Sequence, residues 1–171
     1  MKKIWLGIAI VLLIITGFSA SPAKKVNDDL CADNEKVIFS FKTTSSKTIS
    51  ICAAKDESYL VYRFGTKNKV ELEFPESKAG SWEKFTFYHQ RGDGGTMEDY
   101  GVNWYGEYLF FINGASRYEI YNVQTYNRSG ETEEKVGITV THITSKKDTV
   151  IKGVPGSRKG DLSVLRDKVS S

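Results

Sequence analysis

Short runs of alternating apolar and polar residues, each ended by a turn signal, constrain the fold of this chain most. The alternation is clearest in segment 70–74, where Val70, Leu72 and Phe74 share one face. We find no window with the periodicity of a long amphipathic helix. Strands are predicted at 36–42, 48–54, 59–64, 70–74, 85–88, 106–112, 117–126 and 136–143. Short strands at near-regular spacing predict an all-β fold, a small antiparallel barrel or sandwich of about eight strands.

The composition and the intervening segments agree with this interpretation. The chain contains 9 Tyr, 9 Phe, 3 Trp and 15 Gly but 3 Pro, a bias typical of antiparallel β proteins. Segment 90–101 is predicted to be a long, Gly-rich polar loop. Residues 144–171 are mostly polar and are predicted to form a tail, in which 161–169 forms a short helix or frays.

The N-terminal segment has the three parts of a secretory signal peptide. Lys2 and Lys3 are followed by the apolar run 4–18 and then by small residues. The run is shorter than the roughly 20 residues that span a bilayer. We therefore predict a signal peptide at 1–20, with cleavage after Ala23 as an alternative, and a single β domain at 21–171. An uncleaved membrane anchor is the other interpretation.

Export predicts a periplasmic or secreted protein, an oxidising setting in which the two cysteines of the chain can pair. The chain contains Cys31 and Cys52 and no other cysteine. A disulfide between them would stabilise the fold by roughly 3 kcal/mol, if unstrained. The alternative is a free catalytic thiol.

Charge argues against some classes of partner. Removing Lys2 and Lys3 with the signal peptide lowers the formal net charge from +3 to +1. A near-neutral chain lacks the strong basic excess of a nucleic-acid binder. We expect no nucleic-acid partner and no stable membrane anchor after cleavage.

Catalytic motifs are weak throughout the sequence. His89 and His142 are the two histidines, and no Gly-x-Ser-x-Gly motif accompanies them. Glu71 and Glu73 share a strand face, as a glycosidase pair would, but exposed strands carry such glutamates for solubility. We therefore predict a protein that is not an enzyme and that holds no cofactor and no metal.

The hairpin at 113–118 has the most specific character. Asn113-Gly114 is a strong signal for a tight turn. The turn is predicted to present Ser116, Arg117 and Tyr118 at a hairpin end. Arg and Tyr are frequent interface anchors. The alternative is a plain hairpin whose Tyr118 packs inward.

With the export signal and the Cys-to-Cys first hairpin, three further segments resemble the bacterial periplasmic and membrane-bound lysozyme inhibitors. They are Tyr62-Arg63-Phe64-Gly65, the strand Val70 to Pro75 and Gly114-Ala-Ser-Arg-Tyr118, and a late strand around Val136 to Val140 accompanies them. The resemblance covers roughly 31–143. It implies a small antiparallel β-barrel that inserts a loop with a Ser-Gly-x-x-Tyr-like motif into the lysozyme cleft.

Ser116, Arg117 and Tyr118 match the polar and aromatic members of that motif. Asn113 replaces the Ser before Gly114, and one extra residue separates Gly114 from Tyr118. The resemblance implies an exported binding protein that inhibits a lysozyme or another cell-wall hydrolase. A periplasmic immunity or envelope protein with another partner is the alternative.

Overall fold

The computed structural model describes residues 28–93, 103–126 and 131–170 and contains two antiparallel sheets. The first sheet has the order β10-β1-β2-β3-β4 and the second the order β5-β6-β7-β8-β9. The strands are β1 (Glu35–Lys42), β2 (Thr48–Ala54), β3 (Leu60–Thr66), β4 (Lys69–Phe74), β5 (Thr86–Asp93), β6 (Asn103–Asn113), β7 (Ser116–Tyr126), β8 (Thr132–His142), β9 (Asp148–Lys152) and β10 (Lys159–Gly160).

The prediction of an all-β fold is confirmed, and the two unclosed sheets form a sandwich. All eight predicted strands are present. Two further strands, β9 and β10, lie in the segment predicted to be a polar tail. Strand β5 continues to Asp93, into the predicted loop, because it pairs with the long β6. The predicted signal peptide at 1–20 lies outside the described residues.

The core fills the space between the inner faces of the two sheets. Phe74 stacks on Phe111 with ring centroids 4.3 Å apart, and Phe85 meets both rings edge-on. Val70 is predicted to point inward but is 44% exposed at the start of β4. The largest fully buried side chains are Tyr62, Phe39, Phe41, Phe85, Phe87, Phe111, Ile49, Ile51, Leu60, Leu109, Ile120 and Ile138.

The C-terminal segment closes one side of the sandwich. A bridge between Thr43 and Gly153 brings the end of β9 against the end of β1. After β10, a 3₁₀ helix over Leu162–Leu165 buries both of its leucines in the core. The predicted short helix is thus present as a single 3₁₀ turn, and its burial explains why the segment is ordered.

Candidate partner-binding face

The β6–β7 hairpin has the tight turn that Asn113-Gly114 predicts. Asn113 pairs with Ser116, so Gly114 and Ala115 form a two-residue turn. Gly114 has a φ of 57°, the left-handed conformation that glycine adopts without strain. The Ile143 N–H donates to the Ala115 carbonyl at 2.8 Å, which ties this turn to the neighbouring β8–β9 turn. The hairpin tip is therefore short and supported on one side.

Strand alternation separates the predicted site residues. Successive side chains of a strand point to opposite faces, so Arg117 lies outside the sandwich while Ser116 and Tyr118 lie on the inner face. The ring of Tyr118 stacks on Phe111 at 4.9 Å, and Tyr62 lies 6.3 Å away. Tyr118 thus packs inward against the core, as the plain-hairpin alternative predicts, and Arg117 alone of these two faces solvent.

The side chain of Arg117 is held over the outer face of the second sheet. Its guanidinium lies 4.2 Å above the Phe110 ring, and Nη2 donates to Glu119 at 2.5 Å. The side chain is still 41% exposed. Its Nε is buried and has no hydrogen-bond partner among the described residues. Arg117 is therefore oriented before any partner binds, and its Nε donor forms no hydrogen bond with the described residues.

Three tyrosines cross the outer face in one row, which we call the tyrosine row. Tyr88 pairs with Tyr108, and Tyr108 pairs with Tyr121 on the next strand. The first two rings are parallel, with centroids 4.7 Å apart. The Tyr88 hydroxyl donates to Glu119 at 2.9 Å, so the row is linked to the same carboxylate that Arg117 binds. Burial, and then the hydrogen bond to Glu119 and the Glu119 charge, raise the pKa of Tyr88, which keeps this phenol protonated.

Two glycines, Gly106 on β6 itself and Gly137 on the neighbouring β8, make room for the row. A Cβ at Gly137 would lie 2.3 Å from the Tyr121 hydroxyl oxygen, and one at Gly106 would lie 2.6 Å from that of Tyr108. Larger residues at these two positions would displace the rings. Beside Tyr121 lies a groove of about 360 Å³, whose lining includes Val123, Glu133, Lys135, Val136, Lys152 and Pro155.

A second polar cluster lies on the inner face of the same sheet, away from the hairpin tip. Its centre is Glu107, which is 4% exposed and pairs with His89 on β5 and with Asn122 on β7. The Tyr105 hydroxyl and Asn122 Nδ2 donate to its carboxylate at 3.3 and 3.4 Å. Burial first, and then the charge of Asp161, raise the pKa of Glu107.

On the first sheet, the predicted disulfide between Cys31 and Cys52 is present. It holds the N-terminal segment over the outer face, where Arg63 and Glu35 form a buried ion pair at 2.5 Å. Glu35 lies near both sulfurs. The sulfurs are bonded to each other and the carboxylate is bonded to Arg63, so this group does not offer the donor set of a metal site.

The other candidate catalytic residues are engaged in structural contacts. Glu71 pairs with Lys47 and Glu73 with Arg63, each at 2.6 Å, so neither glutamate resembles an acid or base that awaits a substrate. His142 Nδ1 accepts the Ser145 N–H at 3.2 Å at the end of β8.

Sequence reasoning missed the tyrosine row, Phe110, Glu119 and the Glu107 cluster. The row could have been found, because tyrosines at alternate positions of β5, β6 and β7 face away from the buried phenylalanines. The approach of Asp161 to Glu107 left no local signal, since the two residues lie far apart in sequence.

No family model, curated protein or solved structure matches this chain. In the part of the chain that the structure describes, no helix is both long and apolar enough to span a bilayer.

Proposed function

We propose that this protein is an exported, non-enzymatic binding protein whose partner docks on the outer face of the second sheet, around Arg117. The observation that supports this proposal most is the state of the guanidinium, which is held over Phe110 and is partly exposed. Arginine and tyrosine are the residue types most enriched at the energetic centres of interfaces. Export is supported by the basic and apolar N-terminal segment and is compatible with the disulfide.

The chemistry of Arg117 favours a partner that presents a carboxylate. A guanidinium binds a carboxylate through short charge-assisted hydrogen bonds, often two at once. The buried Nε donor lacks a partner among the described residues, which is unfavourable in the unbound protein. A partner carboxylate would bind the exposed part of this guanidinium with little loss of entropy, because the side chain is already oriented.

An apolar residue completes the anchor. Ile112 pairs across the hairpin with Arg117, on the same face, and is 56% exposed. An exposed isoleucine next to an oriented arginine provides apolar contact area beside the charged contact. The tyrosine row extends the surface over β5, β6 and β7.

The resemblance to periplasmic and membrane-bound lysozyme inhibitors suggests a lysozyme or another cell-wall hydrolase as the partner. A lysozyme cleft carries catalytic carboxylates. In this proposal the β6–β7 hairpin meets the cleft and Arg117 pairs with a carboxylate. Tyr118 supports the hairpin from the core side by stacking on Phe111.

Binding and lysis assays with c-type, i-type and g-type lysozymes test this proposal. We expect stoichiometric inhibition of at least one class by the parent protein. Arg117→Ala should weaken binding about thirtyfold, which corresponds to ~2 kcal/mol. Arg166→Ala is the matched control, because Arg166 is exposed on the C-terminal segment, and it should bind like the parent.

Two results would contradict the proposal in different ways. If the parent protein inhibits a lysozyme and Arg117→Ala inhibits equally well, the partner docks elsewhere. If the parent protein binds none of the three classes, the lysozyme partner is wrong, and an immunity or envelope protein with another partner becomes the better hypothesis.

A further inference from the structure

The first half of β8 forms an open edge of the second sheet. Strand β9 pairs with residues 137–141 of β8, whereas β8 begins at Thr132. At Gly153 the chain leaves β8 and crosses to the first sheet, where Gly153 forms a bridge with Thr43. Among the described residues, no strand therefore covers residues 132–135 on the side of β9.

The backbone of this open edge directs its hydrogen-bonding groups outward. The Val136 carbonyl accepts the Gly153 N–H at 2.8 Å, so the backbone groups of Val136 point toward the β9 side. This direction alternates along an antiparallel strand, so every second residue shares it. Glu134 and Thr132 therefore point their N–H and C=O groups to the same side, where they have no backbone partner in the described part of the chain.

A groove of about 360 Å³ lies along this edge. Its lining includes Lys135 on the outer face of β8 and Val136 on the inner face, so the groove follows the edge of the strand itself. Its apolar walls include Tyr121, Val123 and Pro155. An extended peptide suits such a groove, because it can pair with the strand edge and place alternate side chains against the walls.

Lys152, at the end of β9, adds a positive charge to the groove. Its side chain is exposed and forms no ion pair with the residues that the structure describes. The other charged residues of the lining are already paired. Glu133 pairs with Lys135 at 3.2 Å, and Glu134 pairs with Arg158 at 2.5 Å. An acidic side chain on an occupant could therefore bind Lys152 without displacing a carboxylate of this chain.

We propose that this edge binds an extended peptide segment of a partner protein, which adds a strand beside β8 and places an acidic side chain next to Lys152. Hydrogen bonds to the backbone of Thr132 and Glu134 supply affinity, and the groove and the lysine supply specificity. Arg117 pairs with Thr141, at the opposite end of β8. The site is therefore separate from the Arg117 surface and does not depend on a lysozyme partner.

A titration of the full chain with a capped peptide of sequence Val-Glu-Val-Thr-Val, followed by amide NMR, tests the proposal. The amides of Thr132, Glu134 and Lys152 should show saturable shifts. A peptide with Lys in place of Glu should bind about fivefold more weakly, because it loses the ion pair with Lys152. Lys152→Ala should remove this preference between the two peptides.

The backbone contact is tested by a matched pair of variants. Glu134→Pro removes the N–H that faces the peptide and should weaken binding about tenfold. It breaks no hydrogen bond within the sheet, because this N–H points to the open edge. Glu134→Ala also loses the Arg158 ion pair but keeps the N–H, so it should bind like the parent protein. Thr132→Pro replaces Glu134→Pro if that variant does not fold.

Three results would overturn the proposal. The first is the absence of saturable shifts in the parent protein, and the second is equal binding by Glu134→Pro and Glu134→Ala. The third is a parent dimer in sedimentation that Glu134→Pro converts to a monomer, which would show that the edge pairs with a second copy of this chain. None of these results bears on inhibition of a lysozyme through Arg117, so the two proposals fail separately.

Discussion

Glu35 on the first sheet and Glu107 on the second are both buried carboxyls, but their surroundings differ. Glu35 accepts two hydrogen bonds from Arg63, at 2.5 and 2.9 Å, and others from Tyr59 and the Ala32 N–H. Glu107 accepts two longer ones from neutral groups, and burial, followed by the charge of Asp161, raises its pKa. Burial acts to raise the pKa of Glu35, but the hydrogen bonds from Arg63, the Ala32 N–H and Tyr59, together with the Arg63 charge, outweigh burial and lower that pKa.

The difference separates a carboxylate whose charge is paired from a carboxyl group whose ionised form is disfavoured. A complete buried ion pair is costly to break, since removing one partner leaves an unpaired charge. The lowered pKa of Glu35 stabilises the fold above its unfolded pKa, and this stability is lost as pH falls through its folded pKa. The raised pKa of Glu107 has the opposite sign, so its contribution is present at low pH and is lost as pH rises through its folded pKa.

Removing Arg63 should have the largest effect. Arg63→Ala leaves Glu35 buried without its cation and also releases Glu73, which Arg63 Nε holds at 2.6 Å. We expect a loss of ~3–5 kcal/mol of unfolding free energy in urea denaturation. Lys47→Ala is the control, since it breaks the more exposed pair with Glu71 and should cost at most ~1 kcal/mol. Equal losses in the two variants would show that the buried Glu35 pair contributes no more to stability than the more exposed Lys47–Glu71 pair.

The disulfide should rank next. Replacing Cys31 and Cys52 by alanine releases a loop with a sequence separation of 21. The chain-entropy model predicts a loss of roughly 3 kcal/mol. The loss should appear in the same denaturation experiment, because the N-terminal segment that covers Arg63 is no longer tethered. Mass spectrometry of the unreduced parent protein provides the control. Two freely alkylated thiols there would contradict the disulfide.

Substitutions at two neighbouring residues of the hairpin should differ in their effect on the stability of the protein. Tyr118→Ala removes a ring that stacks on Phe111 in the core, and we expect a loss of ~2 kcal/mol. Arg117→Ala removes an outer-face side chain and should change unfolding free energy by less than ~1 kcal/mol. Thermal unfolding of both variants checks this difference. A larger loss for Arg117→Ala would contradict the assignment of these two residues to opposite faces.

Much of the fold could be predicted from local sequence. Alternation gave β1 to β8, and Asn113-Gly114 gave the tight turn between β6 and β7. Strands β9 and β10 were missed because they are polar and mostly exposed, and they exist through pairing with β8 and β1. The end of the chain is ordered by the burial of Leu162 and Leu165, which depends on the assembled core.

The candidate site was less predictable. The hairpin was found, but Ser116, Arg117 and Tyr118 were grouped as one surface although strand alternation places Arg117 opposite the other two. The Glu35–Arg63 ion pair joins residues distant in sequence, and so do the cross-strand neighbours of Glu107, so no local pattern indicated either group.

The pKa values of the two buried glutamates test the central comparison most directly. Titration of the side-chain carboxyl carbons by NMR, assigned with Glu35→Gln and Glu107→Gln, measures both in one protein. We expect Glu35 to titrate below the ordinary value of 4.5 and Glu107 above it. If both groups titrate together, or if Glu107 titrates below Glu35, the distinction between the paired Glu35 carboxylate and the unpaired, buried Glu107 carboxyl group is contradicted.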